Sequence, residues 1–489
     1  MGRGFVRDFS HWTPWAVFGL ALALYIATLA PTVLWGDDAG LQRQAALLEL
    51  RGGVLGHPLW TLLAHVLMGL PFGDLAWRAN LLSALAGAGT LPLTYALARR
   101  EGASPWGGAA AAGMLGLAHT FWLHAVRAEV YTLLLLFWAA GILCLVRWEA
   151  DRQEKWLELG GFLGVVGLAN HLLLIGLVPG AAWWLWAHRA RLTRRGMALL
   201  LAGAALGAIP LVVWLWCVPG EQVYAPLPQV LAGLLRPEAW RIGWKDLALA
   251  LGYGAYQFPL TGLLALPGLA SLARRDWRRA TAWGLWLAAP AAFALRHRVP
   301  DQYAFFLPAY LSVAIWCGLG YDAVGRWLRR GVAARVLLLA LCLGLPVLTY
   351  RLAPVALTRC PVLPLEVREI PGRDPLRFFL WPPKQGEWGA RAFGESALRA
   401  VPAGALILAD WTLQAPLEYL QDVEGLRPDV VVVGTGDLAR PQKEFLQGEC
   451  RDRPCYLADV NRYYDLAAIE QGFTIQPVGV LYRLVPRQG

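Results

Sequence analysis

Charged residues are scarce in this 489-residue sequence, where Asp, Glu, Lys and Arg make up 16% and hydrophobic residues 57%. A soluble globular domain is about one quarter charged, so that class is excluded. Acidic residues are fewer than basic ones, and the formal net charge is +10. The arginines form short clusters between apolar runs, without a basic face that interleaves aromatics, which argues against nucleic-acid binding. The chain is therefore predicted to reside in lipid.

Other common features are also missing. No small-residue cleavage site precedes Gly36, so the first apolar run, 15–35, is interpreted as a retained span and not as a signal peptide. The sequence has no G-x-G-x-x-G loop and no internal repeat, which leaves nucleotide-binding and solenoid classes unsupported. Cysteines are few, but Cys450 and Cys455 lie in a polar segment and could close a disulfide loop if that segment is extracytoplasmic.

Apolar runs dominate the remaining sequence. A helix needs about 20 apolar residues to cross about 30 Å of hydrocarbon. Runs near this length predict a polytopic α-helical membrane protein with about 11 transmembrane helices. They lie near residues 14–35, 79–98, 105–123, 130–147, 156–169, 172–187, 197–217, 247–270, 280–295, 303–323 and 334–352.

The apolar segment Leu59–Leu70 decides the predicted topology. Pro58 and Pro71 bracket it, and the residues between them would span only about 18 Å as a helix, too short to cross. We predict an external juxtamembrane helix here. All the arginine clusters then fall on one side of the membrane, as the positive-inside rule requires, with the amino terminus in the cytoplasm.

The last quarter of the chain is not membrane-like. Strand-forming runs at 405–409 and 429–433 flank a helical pattern at 414–421, and further strands are predicted near 455–459 and 478–484. We therefore predict two domains, with the second a small α/β domain outside the cytoplasm. The predicted division is a transmembrane domain over 1–353, with its first outer loop at 36–78, and an extracytoplasmic domain over 354–489.

Polar residues collect at the outer ends of the predicted spans. Each of them alone is most often a solvated loop residue, but ionisable residues at the membrane edge are costly and mark functional sites by default. Their convergence on one surface makes them candidate site residues. They are Asp37, Asp38, His57, Arg78, Arg127, Glu129, Asn170, His171, Arg296, His297, Arg298 and Asp301.

Two adjacent carboxylates, Asp37 and Asp38, follow the first span. Neighbouring residues do not share a helix face, so only one of the two can point into a cleft. Asp38 also precedes the amphipathic helix predicted at 39–50, where an Asp is a good N-cap. Spacing alone leaves both roles, cap and catalyst, open.

Structural alternatives exist for other candidates as well. Glu129 could orient a substrate, or it could pair with Arg127 or cap the following span. Asn170 and His171 lie between two short spans and could satisfy open backbone groups where helices break. Asp301 could form an ordinary surface pair with a nearby arginine, which would contribute little.

Several short motifs follow one another over residues 15–320. They are Pro31-Thr-Val33, Asp38-Ala-Gly40, Gly56-His57-Pro58-Leu59, Arg78-Ala-Asn80-Leu-Leu-Ser83-Ala-Leu85, Phe121-Trp122, Ala128-Glu129-Val130-Tyr131, Asn170-His171 and Val299-Pro300-Asp301 to Phe305-Phe306-Leu307-Pro308. In this order they resemble the motifs of the protein O-mannosyltransferase-like GT-C glycosyltransferases, the group first catalogued as domain of unknown function 2723. Leu41 and Gly53 depart from that pattern, where the group has an acidic residue and a histidine. The chain is thus identified as a divergent member, with an altered substrate or without activity.

The resemblance implies a GT-C-like fold and an inverting transfer of a sugar. The donor would be a polyprenyl-phosphate sugar, and the acceptor a hydroxyl of a protein, glycan or lipid on the outer face. A carboxylate must accept the hydroxyl proton, and we assign Asp38, with Asp37 as the alternative. Cations must stabilise the leaving phosphate, and Arg296, Arg298 and either Arg127 or His171 are the candidates. The expected substrate-binding residues are Glu129, His57, Arg78, Arg127, Asn170, His171, Arg296, Arg298 and Asp301.

No cofactor is assigned, and a divalent metal on Asp38 and Glu129 is the option left open. Expected partners are a lipid-linked sugar donor, a protein or glycan acceptor and membrane lipids, in the bacterial inner membrane. Two other classes remain as alternatives: a transporter or lipid flippase, and a noncatalytic scaffold whose outer domain binds a partner. A transporter predicts repeats and polar residues at the midplane, whereas the polar residues here lie at one edge.

Overall fold

A computed structural model describes most of the chain. The described residues are 2–50, 52–53, 56–217, 223–224, 232–233, 236, 240–327, 331–360 and 368–487. Two arginines of the last predicted cluster, Arg329 and Arg330, lie outside them.

Helices make up most of the described chain as far as residue 360. They are α1 (Gly2–Ala27), α2 (Asp37–Ala46), α3 (Pro58–Met68), α4 (Leu75–Arg100), α5 (Pro105–Gly116), α6 (His119–Ala125), α7 (Tyr131–Asp151), α8 (Lys155–Val166), α9 (Val178–Ala187), α10 (Arg194–Cys217), α11 (Trp244–Gln257), α12 (Ala265–Arg275), α13 (Trp277–Arg296), α14 (Leu307–Trp327) and α15 (Val332–Arg359). Single turns of 3-10 helix lie at Gly167–Ala169, Leu172–Leu177, Arg189–Arg191, Thr261–Leu264 and Gln302–Phe306.

Five helices in the described part are long and apolar enough to cross a membrane. They are Leu75–Arg100, Tyr131–Asp151, Arg194–Trp216, Gln302–Trp327 and Val332–Arg359. The most apolar windows of Arg194–Trp216 and Val332–Arg359 are only 11% buried inside the protein, so these helices present apolar surface that lipid would cover. The fold is that of a polytopic helical membrane protein.

Several predicted elements end differently in the structure, and among them the predicted span 247–270 is broken into α11 and α12. The first predicted span, 14–35, stops as a helix at Ala27, because Pro31 cannot continue it. The predicted span 105–123 is broken into α5 and α6, which begins at His119. The predicted short helix after Pro58 is present as α3 and ends at Met68.

The carboxyl-terminal part forms a mixed sheet with helices around it. Its helices are α16 (Pro375–Leu380), α17 (Gly389–Ala400), α18 (Trp411–Asp422), α19 (Gln442–Glu449) and α20 (Leu466–Ile469). Two short strands, β1 (Gly52–Gly53) and β2 (Val223–Tyr224), pair with each other elsewhere in the chain. The strands of the carboxyl-terminal part are β3 (Leu406–Ala409), β4 (Val431–Gly434), β5 (Cys455–Leu457), β6 (Phe473–Val478) and β7 (Leu481–Pro486). The sheet order is β4-β3-β5-β7-β6, parallel among the first three strands and antiparallel for the last two pairs.

The predicted small α/β architecture is confirmed, with one error in the strands. The strand predicted at 478–484 runs across a turn at Gly479, which has φ +61 and separates β6 from β7. Strand β6 escaped prediction because it contains Pro477, which an edge strand tolerates. The sheet buries apolar side chains on both faces, and Cys450 and Cys455 are joined in a disulfide.

The carboxyl-terminal sheet domain is packed onto the segment 36–78 through two helices. Helix α18 lies beside α2, and Arg43 of α2 binds Asp422 with 2.6 Å between Nε and Oδ2. Arg391 of α17 makes a second link, with 2.9 Å between its Nη2 and Asp74 Oδ2. The helix that carries both candidate catalytic aspartates is thus held from the carboxyl-terminal side.

Candidate active site

Helix α2 positions the two aspartates and separates their roles. It begins at Asp37, and its N-cap is Gly36, which has φ +58 and provides no side-chain cap. The capping alternative for Asp38 is therefore wrong, because Asp38 already lies inside the helix. Asp38 is 3% exposed, whereas its neighbour Asp37 is exposed.

A tryptophan of the carboxyl-terminal domain is hydrogen-bonded to Asp37. The indole Nε1 of Trp411 donates a hydrogen bond to Asp37 Oδ1 over 2.6 Å. The ring lies against Gly40, where a Cβ atom would be 2.9 Å from Cζ2 of the indole. The backbone N–H of Gly36 also donates to the carbonyl of Thr412 over 3.2 Å. Only a glycine at position 40 allows the ring this close approach.

Asp38 instead faces a buried guanidinium. Arg127 Nη1 is 3.5 Å from Asp38 Oδ2, and Arg127 Nη2 is 2.7 Å from Glu129 Oε1. All three side chains are at most 9% exposed. One guanidinium therefore joins two carboxylates from separate parts of the chain, as a buried arginine with its planar donors can.

The loop between α6 and α7 is fixed by side chains of other helices that bond its backbone. Ser83 Oγ donates to the carbonyl of Glu129 over 2.9 Å and accepts from its N–H over 3.1 Å. Trp60 Nε1 donates to the same carbonyl over 3.1 Å. Helix α7 has Val130 as its N-cap residue and no side-chain cap, so Glu129 does not cap it. Of the alternatives for Glu129, the pair with Arg127 is the one present.

Several buried polar atoms around Arg127 have no hydrogen-bond partner within the described residues. They are Asp38 Oδ1, Arg127 Nε, and Nδ1 and Nε2 of His124. Buried polar groups almost always have partners, since leaving one unpaired is costly. The cluster therefore has donors and acceptors that its own side chains do not use.

Burial also changes the protonation of the two carboxyls. It raises the pKa of Asp38 to about 7, and the positive charge of Arg127 works against this rise. Burial raises the pKa of Glu129 in the same way, again opposed by Arg127. Because a single guanidinium serves both carboxyls, their pair can hold a proton near neutral pH, and a carboxylate with such a pKa is suited to accept one from a substrate.

His57, Asn170 and His171 support the site through the backbone. His57 Nδ1 is 2.6 Å from the carbonyl oxygen of Asn170, and the rings of His57 and His171 stack with centroids 5.4 Å apart. Asn170 Nδ2 donates to the carbonyl of Val130 over 3.0 Å, and His171 Nδ1 accepts from the N–H of Leu173. These contacts satisfy open backbone groups at helix breaks, as the structural alternative for Asn170 and His171 predicts.

The structure does not join the other predicted arginines to the Asp38–Arg127–Glu129 cluster. Arg78 donates to three backbone carbonyls, among them that of Met68 over 2.7 Å. Arg296 Nη2 donates to the carbonyl of Gly233 over 2.6 Å. Arg298 is 57% exposed at its side chain and pairs with Asp246 over 2.8 Å.

Asp301 is coupled to the cluster by charge, since it acts on both Arg127 and Glu129. Burial raises the pKa of its carboxyl, which Asp37 also raises, while Arg127 and His297 lower it. Arg298 pairs with Asp246, so the surface pair suggested for Asp301 and Arg298 is not formed. Asp301 is thus a half-buried carboxyl at the rim of the site.

Lys384 is a site residue that the sequence did not suggest. It is fully buried at 0% exposure, and its Nζ donates to the carbonyl of Trp381 over 2.7 Å. Burial lowers the pKa of its ammonium to about 7, and the charges of Arg127 and Asp38 both act on it. Its position more than 250 residues after Arg127, inside a predicted separate domain, gave no signal. The neighbouring Trp381-Pro-Pro383 is the one local hint of a fixed turn.

The ligands suggested for a metal are bound to Arg127. Asp38 and Glu129 each direct an oxygen to the guanidinium. In the part of the chain that the structure describes, no group of three or more His, Cys, Asp or Glu side chains could hold a metal ion. The donor set of the cluster is therefore two carboxylates with a guanidinium between them.

Comparison with known proteins agrees with the predicted resemblance. Residues 54–194 match the family described as protein O-mannosyl-transferase TMEM260 N-terminal domain. The protein O-mannosyl-transferase TMEM260 of Mus musculus is 31% identical over 205 residues, which are 40% of this chain and 29% of that protein. The chain thus matches less than a third of the length of this relative.

The whole chain shares its fold with solved structures. ArnT from Cupriavidus metallidurans in the apo state superposes with a TM-score of 0.60 at 17% identity, covering 98% of both chains. The same enzyme bound to undecaprenyl phosphate gives a TM-score of 0.56 at 16% identity, covering 99% of this chain and 98% of the other. The match to the protein O-mannosyl-transferase domain bears out the resemblance that the motifs predicted, and the solved structures show that the chain shares the fold of ArnT.

Proposed function

We propose that this protein is an inverting membrane glycosyltransferase that moves a sugar from a polyprenyl-phosphate donor to an acceptor hydroxyl. The observation that carries the proposal is the buried cluster of Asp38, Arg127 and Glu129 at the start of α2. The likeness to a protein O-mannosyl-transferase supports the reaction class. The shared fold with an ArnT that was solved with undecaprenyl phosphate supports a lipid-linked donor.

In the proposed reaction Asp38 is the general base. Its Oδ1 takes the proton of the acceptor hydroxyl while the hydroxyl oxygen bonds to the anomeric carbon. The bond from that carbon to the phosphate oxygen breaks on the opposite face, and its electron pair leaves with the lipid phosphate. Asp38 is favoured over Asp37 because its Oδ1 is buried and unpartnered, whereas Asp37 is held by Trp411.

The other two cluster residues, Arg127 and Glu129, are proposed to hold the base and to orient the acceptor. Arg127 holds Asp38 in place and keeps its carboxyl from becoming permanently protonated, since its charge lowers the pKa that burial raises. Glu129 fixes Arg127 over 2.7 Å and is proposed to orient the acceptor. Arg296 and Arg298, together with Asp301, Asn170, His171, His57 and Arg78, are proposed to shape the substrate cleft.

The proposal includes a membrane topology. About 11 spans with a cytoplasmic amino terminus would put the first outer loop, 36–78, and the domain over 354–489 on the outer face of a bacterial inner membrane. Arg100, Arg191 and Arg279 would then lie on the cytoplasmic side. The donor, the acceptor and the cluster would meet at the outer face, where protein, glycan or lipid hydroxyls are available.

Substitution of the base tests this function. Membranes with the Asp38→Asn protein are supplied with labelled polyprenyl-phosphate mannose and a hydroxyl acceptor, and labelled product is counted. The transfer rate should fall by about 10²-fold or more, because an amide cannot accept the proton. Asp37→Asn serves as the matched control and should keep most of the rate. Full activity of Asp38→Asn would reject Asp38 as the base.

A further inference from the structure

Lys384 is a buried cation whose role the cluster does not explain. The side chain lies over the face of Phe378, with Nζ 5.0 Å from the ring centroid, and donates to the carbonyl of Trp381. In the part of the chain that the structure describes, Lys384 forms no ion pair, and Glu387 is the neighbouring charge that raises its pKa most. An isolated buried ammonium is costly, and in proteins it is either paired, bound to an anionic ligand or neutralised.

The backbone brings Lys384 to the edge of the Asp38–Arg127–Glu129 cluster. Its N–H donates to the carbonyl of Thr28 over 2.8 Å. Two residues later, the N–H of Ala30 donates to the carbonyl of Val126 over 2.9 Å, directly before Arg127. A single short segment therefore has Lys384 on one side and the arginine loop on the other.

Aromatic packing holds this arrangement in place. Trp122 of α6 donates its indole N–H to Thr28 Oγ1 over 3.0 Å, and its ring lies 6.1 Å from that of Trp381. In the same helix, Nε2 of His119 lies 2.8 Å from the carbonyl oxygen of Phe379. The turn that carries Lys384 is thus fixed against the helices of the transmembrane part.

We propose that Lys384 binds the phosphate of the lipid-linked donor, so that the carboxyl-terminal domain supplies one wall of the active site. This inference rests on the proposed function and adds to it a cation for the leaving group. Arg127 is already shared by two carboxylates, whereas Lys384 has donors free for an anion beyond its one bond to Trp381. An ammonium at the phosphate would stabilise the charge that develops as the sugar leaves.

Binding measurements on the full-length protein in detergent test the assignment without needing transfer. The variants are Lys384→Met and Lys384→Arg, with Lys443→Met as the matched control, since Lys443 is partly exposed and donates to Gln471, away from the cluster. Undecaprenyl phosphate, undecaprenol and inorganic phosphate are the probes. Lys384→Met should weaken undecaprenyl phosphate binding by about 30-fold or more, because a buried charge contact is lost. Lys384→Arg should retain most of the affinity.

The comparison of probes separates a ligand from a structural residue. Undecaprenol lacks the phosphate, so its binding should be the same in the wild type and in Lys384→Met. An equal loss for both lipids would overturn the proposal and indicate a role in folding. Inorganic phosphate that binds as tightly as the lipid, with the same dependence on Lys384, would overturn the assignment to a lipid headgroup.

The pH dependence gives a second readout. The charged groups around Lys384 are Glu387, Arg127, Asp38, Arg377 and His119. Burial lowers the pKa of Lys384 to about 7, so its charge is present below that pH and lost above it. Wild-type affinity for undecaprenyl phosphate should therefore weaken between pH 6 and 9, and it should weaken more than that of Lys384→Arg, which shows only the titration of the ligand and of Asp38. Parallel curves for the two proteins would contradict the proposal.

Failure of this inference and failure of the proposed function give different results. If Lys384→Met binds undecaprenyl phosphate normally while Asp38→Asn abolishes transfer, the enzyme stands and the lysine assignment falls. If the lysine-dependent binding is found but Asp38→Asn retains full transfer, the phosphate site stands and the assigned base is wrong.

Discussion

Gly40→Ala should separate activity from stability. The new Cβ would lie 2.9 Å from Cζ2 and 3.1 Å from Cη2 of Trp411. Ordinary contact begins at 3.4 Å, so the indole or helix α2 must move by at least about 0.5 Å. Such a shift weakens the hydrogen bond from Trp411 to Asp37. It also displaces Asp38, which follows Asp37 in α2.

The effects on the free energy of unfolding nearly cancel. Alanine inside a helix is favoured over glycine by about 1 kcal/mol. The hydrogen bond lost at the exposed Asp37 contributes about 0.5–1.5 kcal/mol. We therefore expect unfolding within about 1 kcal/mol of the wild type. The transfer rate should fall about tenfold or more, because small displacements of a catalytic group are costly.

Transfer of label from the polyprenyl-phosphate donor measures the rate, and thermal unfolding in detergent measures the stability. Gly164→Ala in α8 is the control, since nothing lies within 4 Å of a Cβ there. In a Trp411→Phe background, which lacks the second ring, Gly40→Ala should have little further effect. A wild-type rate for Gly40→Ala, or an equal loss in both backgrounds, would refute the reasoning.

Two further predictions concern the protonation of Asp38 and the buried ion pair between Glu101 and Arg279. Since burial raises the pKa of Asp38 to about 7, the proposed base is active above that pH. The transfer rate at saturating donor should therefore rise through pH 7 and be lost towards pH 5; a pH profile that is flat from 5 to 8 would contradict this. Glu101→Gln should lower the free energy of unfolding by about 2–4 kcal/mol, because the buried Glu101 binds Arg279 over 3.1 Å and its loss leaves a buried charge less well paired. Denaturant unfolding measures this, with Asp151→Asn, in a more exposed pair with Arg100, as a control that should change by about 0.5 kcal/mol or less.

The sequence predicted those parts of the molecule that depend on local pattern. Apolar run lengths indicated the five described helices that are long and apolar enough to cross a membrane, and the prolines around the short run indicated α3. Period and β-branched residues indicated β3 to β5 and α18. Ordered motifs brought Asp38 and Glu129 together as candidates, and the structure adds Arg127 as the group that joins them.

What the sequence could not predict depends on contacts between distant segments. The choice between Asp37 and Asp38 is made by Trp411, which is 374 positions away from Asp37. The burial of Lys384 depends on Thr28 and on the aromatic rings around it, which no local pattern connects. Arg298 was selected because it follows a predicted outer span end, but its pairing with Asp246 depends on the fold.

The packing of α18 against α2 has a consequence for the order of events during synthesis and folding. The ribosome delivers the helix with Asp38 early, whereas Trp411 emerges only after nearly four hundred further residues. Until the carboxyl-terminal domain has folded and docked, Asp37 lacks its partner Trp411, and Lys384 is absent from the edge of the cluster. On the proposed function, a chain truncated before Trp411 would lack the ring that holds α2 and would transfer no sugar.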